Sequence, residues 1–234
     1  MSDWQPRRFW TEVSVVETDH GHAIALDGRP VKTPAKAPVA VPSRMMAEAI
    51  AAEWRAVDKI IEPATMPMTR AANAAIDKVA IQFTQVADML ADYGGCDLLC
   101  YRAEGPEDLC VRQRENWDPL LDWAADTYGA RLTLAQGVMP VTQPPEAVAR
   151  LRAATHDHTV FQLTALHDLV TITGSLVLGL AVARGRLAAD RAFDMSRLDE
   201  DWQIEQWGAD SEATATAGLK RAQLETAAEV YAMA

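Results

Sequence analysis

Between residues 9 and 41 the apolar positions come in short runs of period two, TEVSVVE, HAIALD and PVAVP, separated by turn residues that include Asp27-Gly28. Alternation on this scale places every second side chain on one face, so the stretch predicts a small antiparallel sheet. The period then lengthens. Ser43 is placed to cap a helix running to Val57, with Met46, Ile50 and Trp54 on one stripe. Beyond the proline-bearing link IEPATMPMT, the residues Ile76, Val79, Phe83, Val86, Leu90 and Tyr93 recur at steps of three and four. That spacing predicts one continuous helix of about 24 residues, closed by Gly94-Gly95. Further helices are predicted over 109–128, 145–154, 159–171, 175–183 and 189–207, and from 213 to the C-terminus. The expected class is α+β, with a small N-terminal antiparallel β-rich domain and one packed helix at 1–64. A larger helical bundle is expected at 65–234.

The longest apolar run, LVTITGSLVLGLAVA at 169–183, is shorter than the roughly 20 residues needed to span a bilayer and contains two glycines. It reads as buried helix. The formal net charge of −11 and pI near 4.9 over 234 residues leave no broad basic surface for phosphates, which argues against nucleic acid or anionic lipid as the main partner. The opening MSDWQPRRFW has neither an apolar signal core nor an Arg/Ser-rich leader, so the chain reads as cytosolic, or else as an already mature form.

Few residues are arranged for catalysis. Neither GxGxxG after a strand nor GxxxxGK[ST] occurs, and GxSxG and HExxH are also missing, so no nucleotide or other cofactor is expected. Gly185-Arg186 reads as a helix-end turn. Cys96, Cys100 and Cys110 lack the paired spacing of a thiolate zinc site and read as reduced, buried helix cysteines. His156, His158 and His167, with Asp157 and Asp168, form the one histidine cluster, in ATHDHTVFQLTALHD. A metal or acid/base centre there is the enzyme alternative. Helix capping by Asp157 or Thr159 explains the same polar residues without chemistry.

The segment LDEDWQIEQWGAD, residues 198–210, is dense in acids, carries two tryptophans and has no lysine or arginine. If residues 190–207 form one helix, Met195, Leu198 and Trp202 fall on one side, with Ile204 and Trp207 nearly opposite. Asp194, Asp201 and Glu205 then line up between the two faces, and Glu200 falls beside Ile204 and Trp207. One apolar face can enter the bundle. The other needs a cover, from another helix of this chain, with the acids simply solvated, or from a protein partner bearing arginine and apolar groups, which an aromatic face ringed by charge suits.

Several blocks in order, LDGRPVKTP, VPS, AIAAEW, MPMTRAANAAID, DLLCYRAEGPEDL, WDPLLDW and LDEDWQIEQWGAD, span nearly the whole chain. In them the sequence resembles the assembly chaperones that bind the free alpha subunit of the F-type ATP synthase catalytic head. The resemblance implies a small β-rich domain followed by an orthogonal helical bundle. It also implies a non-enzymatic, ATP-independent monomer that shields the alpha subunit until the beta subunit replaces it. Glu200, Asp201, Trp202, Gln203, Trp207 and Gly208 match a recognisable block of that family. The expected partner-binding residues are Glu200, Asp201, Ile204, Glu205 and Trp207. Trp54 and Trp117 also match but lie on core stripes.

Overall fold

A computed structural model describes residues 7–137 and 139–234. The period-two region folds as expected into antiparallel β1 (Val13–Thr18) and β2 (Gly21–Leu26), with Val13 opposite Leu26 and Thr18 opposite Gly21. Asp27 and Gly28 take φ of 49° and 74°, both left-handed as a tight two-residue hairpin turn requires, and the chain returns as β3 (Arg29–Pro30). The Asp27 carboxylate accepts the N–H groups of Thr11 and Glu12, which hold its pKa below the usual value. β4 (Ala40–Val41) pairs with the other end of β2, making β2 the central strand. That approach is tight, since a Cβ on Gly21 would lie 2.4 Å from the Val41 carbonyl oxygen.

Ser43 Oγ accepts the Met46 N–H and starts α1 (Arg44–Ala56). Met46 and Ile50 are fully buried, whereas Trp54 is half-buried and meets Trp10 edge-on at 5.2 Å. From α1 the Glu53 carboxylate reaches α2 (Pro67–Ala74) and accepts the N–H groups of Met68 at 2.6 Å and Thr69 at 2.8 Å, and the Thr69 hydroxyl at 2.6 Å. A helix start with no cap of its own is thus capped from its neighbour.

The stripe from Ile76 to Tyr93 is not one helix. α2 runs into a π-helical turn at Ala75–Val79, residues 80–82 leave the helical path, and α3 (Phe83–Asp92) begins afresh before a 3-10 turn at Tyr93–Gly95. A π turn takes more residues per revolution than an α turn, so it shifts the face that follows. Ile81, between the two helices, is 76% exposed.

The rest of the chain forms α4 (Glu107–Tyr128), α5 (Pro145–His156), α6 (Val160–Thr173), α7 (Leu176–Ala183), α8 (Ala189–Ser196), α9 (Leu198–Trp207) and α10 (Ser211–Met233). The molecule is therefore mostly helical α+β, a sheet followed by a bundle. A short parallel pair, β5 (Tyr101–Arg102) with β6 (Ala135–Gln136), is an addition that no sequence period announces. Two compact units result. One holds the described residues of Met1–Phe83 with Thr159–Thr164 and Glu229–Ala234, and the other holds those of Thr84–His158 with Ala165–Ala228. Thr159 starts α6 through reciprocal bonds with Gln162, so it supplies one of the two caps the sequence suggested.

The apolar run at 169–183 is two helical pieces hinged at Gly174, which has φ of 68°. At the junction, fully buried Asp97 accepts the Leu99 N–H at 3.0 Å, the Ser175 hydroxyl at 2.7 Å and the Val177 N–H at 2.9 Å. One carboxylate thereby caps α7 and the 3-10 turn at Leu98–Cys100. Burial pushes its pKa up, and the hydrogen bonds pull the other way.

Candidate functional site

The segment 190–207 is broken at Arg197, with φ of −110° and ψ of 14°, which ends α8 and opens α9. Met195 and Asp194 therefore belong to a different helix from Leu198, Trp202 and Glu205, and the single alignment of Asp194 with Asp201 and Glu205 does not exist. Asp194 instead binds Arg221 of α10, whose guanidinium also lies 4.7 Å from the Phe193 ring. The break has a second effect. Asp199, Glu200 and Asp201 occupy the first turn of α9, where backbone N–H groups lack partners and negative charge is favoured by about 0.3–1 kcal/mol.

Within α9 the helical period still holds, and it sorts the acids. Leu198, Trp202 and Glu205 share the inner side: Leu198 is buried, and Glu205 forms a two-pronged pair with Arg112 of α4 at 2.8 Å on both arms. That pair holds the Glu205 carboxyl below its usual range. Asp199 accepts from Gln113 Nε2 at 2.7 Å, while Gln113 Oε1 accepts the Ala103 N–H. Asp201 lies 3.5 Å from Arg197. Trp117 of α4, 1% exposed, donates its indole N–H to the Met195 carbonyl at 3.0 Å. The structure thus confirms Trp117 as core. Arg112 and Gln113, which fix the approach of α9, carry no motif that singles them out, and only the fold reveals their role.

Glu200, Ile204 and Trp207 share the outer side. Glu200 is exposed and forms no ion pair or hydrogen bond among the described residues. Ile204 is half-buried, and Trp207 is 75% exposed, touching Trp202 edge-on at 6.1 Å. Gly208, at φ of 92°, then ends the helix, and Asp210 caps α10 by accepting the Ala213 N–H at 2.7 Å. Of the five expected partner-binding residues, three form one open face and two are held by arginines of this chain.

The histidines do not converge. His156 is the last residue of α5, not part of a loop, and meets Asp88 at 2.9 Å beside Arg152, which also pairs with Asp92 at 2.7 Å. The hydrogen bond to His156 holds the Asp88 carboxyl down, with Arg152 reinforcing it. His158 is tied to the Thr155 carbonyl, and burial lowers its pKa. His167 contacts its neighbour Asp168. No group of three or more metal-ligating side chains occurs among the described residues. The cysteines are free thiols, but only Cys100 is buried, with its pKa pushed up to about 12. Cys96 is exposed at the end of a 3-10 turn, and Cys110 is half-buried on α4.

The sequence profile of ATP12 chaperone proteins matches residues 7–125. The chain belongs to the ATP12 chaperone family. A crystal structure of Atp12 from Paracoccus denitrificans is 50% identical, each chain covering 99% of the other, with a TM-score of 0.96. A protein of Agrobacterium tumefaciens, solved as a candidate chaperone, is 40% identical over 97% of this chain and 86% of that one, with a TM-score of 0.93. The mitochondrial protein atp12 of Schizosaccharomyces pombe is 26% identical over 215 residues, which is 87% of this chain and 74% of that protein. ATP12 proteins are non-enzymatic chaperones for ATP synthase assembly, which removes the histidine-centred enzyme alternative. No helix among the described residues is long and apolar enough to cross a membrane.

Proposed function

We propose that this ATP12 chaperone holds the free alpha subunit of the F-type ATP synthase catalytic head and shields its subunit interface until beta replaces it. The observation that carries the reading is the outer face of α9. Trp207 is 75% exposed on the same helical side as Glu200, a carboxylate with no partner among the described residues. An aromatic anchor beside an unpaired acid fits an apolar client surface that bears a cation. A lone subunit of an obligate assembly exposes such a surface.

Glu200, Ile204 and Trp207 form the centre of the proposed contact. Asp201 and Glu205 flank it and become available when they leave Arg197 and Arg112. In the same reading, release comes by competition from beta, without ATP. The chaperone acts as a monomer, in the bacterial cytoplasm or the mitochondrial matrix.

The test is capture of refolding alpha subunit by the chaperone, read as alpha remaining in solution, with the chaperone's melting temperature measured in parallel. Trp207→Ala should lose most of the protection while melting like the wild type. Full protection by Trp207→Ala and Glu200→Gln together would remove α9 from the contact.

A further inference from the structure

The sheet-bearing unit contains an open groove of about 580 Å³ lined by Arg7, Arg8, Phe9, Trp10, Asp58, Lys59 and Ile60. It is made where the segment before β1 lies antiparallel to the link after α1. Arg7 bridges to Ile60, and the Arg8 N–H donates to the Lys59 carbonyl at 2.9 Å. Arg8 is committed to the wall: its guanidinium donates to the carbonyls of Trp10, Arg55 and Val57 and lies 5.6 Å from the Trp10 ring.

The rim has a different character. Arg7 and Lys59 are exposed, with no ion pair among the described residues, and Phe9 is 70% exposed beside them. In a chain of net charge −11, this groove sets three cations against one anion, Asp58. Trp10 also lines the groove but is only 3% exposed, so it belongs to the wall and not to the rim.

Free cations and an exposed aromatic side chain ask for the same chemistry. We infer that the groove is a second docking site, for an extended client segment that carries carboxylates next to aromatic or aliphatic side chains. It is opposite in charge to the α9 face, so one chaperone holds client surfaces of both signs. The inference rests on the chaperone reading for its client, but it can be tested without that client.

The probe is a fluorescent, end-blocked peptide of alternating aspartate and phenylalanine, with a control in which lysine replaces each aspartate. Anisotropy should show the acidic peptide binding at least about tenfold tighter than the basic one, with the gap narrowing as salt rises. Joint Arg7→Glu and Lys59→Glu substitution should reverse the preference at an unchanged melting temperature, since both side chains are exposed. Phe9→Ala removes a ring that is 70% exposed, so the fold should hold while acidic-peptide binding weakens several-fold. Equal binding of the two peptides, or acidic-peptide binding indifferent to charge reversal, overturns the assignment. So does a dimer in sedimentation that the reversal dissolves, which would give the groove to a second copy. Glu200→Gln should leave peptide binding unchanged, so failure of the alpha-subunit reading and failure of this one are separately visible.

Discussion

Asp97 and Glu200 are both acids of recognisable sequence blocks, and neither forms an ion pair, yet the regions around them use charge in opposite ways. At the α7 junction the carboxylate is sealed from water and accepts three internal donors. On the outer face of α9 it is exposed and accepts none among the described residues. An acid without a countercharge is therefore not in itself a functional signal. What separates the two regions is whether the chain's own backbone donors already fill the oxygens.

Substitutions should widen or erase that contrast. The largest loss is expected from Asp97→Ala, which strands two buried N–H groups and a hydroxyl at about 1–3 kcal/mol each, so thermal unfolding should be severely early and any folded fraction scarce. Trp117→Ala removes a buried ring and its bond to Met195, and denaturant unfolding should show about 3–5 kcal/mol lost. Gln113→Ala, which uncouples Asp199 and the Ala103 N–H, should cost about 1–3 kcal/mol by the same measurement.

Glu200→Gln should cost no more than about 1 kcal/mol, the helix-end charge effect, while alpha-subunit protection falls. If its melting temperature drops as far as that of Gln113→Ala with protection intact, Glu200 serves the fold as Asp97 does, and the two regions use charge alike. The smallest effect concerns acid. Asp88 has its folded pKa lowered, so its contribution is present above the unfolded value, near 3.8, and is lost as pH falls through the folded value. Asp88→Asn should flatten that part of the stability-versus-pH curve by lowering stability slightly at neutral pH, where the contribution is present, and leave stability below the folded value little changed.

The sheet, the caps at Ser43 and Thr159 and most helix spans were legible because period and capping chemistry are local. The breaks at residues 80–82 and at Arg197 were not. On both sides of each break the apolar spacing stays helical, and a shift of face without a glycine or proline leaves no mark in composition. For the acidic segment, sequence could place Glu200 beside Trp207 because both lie within one true helix. It could not see that Glu205 and Asp199 face α4, since Arg112 and Gln113 are some ninety residues away in the chain. Nor could the groove at Arg7 and Lys59 be read, because its two walls meet only in the fold.

The cap that Glu53 provides for α2 bears on heredity. The Met68 and Thr69 N–H groups belong to a turn that begins with proline and has no cap of its own, so AIAAEW and MPMT are one inherited trait written in two places. A lineage that replaces the glutamate leaves those donors orphaned unless the second stretch changes with it. Recombination that joins one relative's α1 to another's α2 succeeds only where this pairing travels intact. Drift at position 53 should therefore be matched by compensating drift at 68–69, while the exposed positions of the intervening link vary freely.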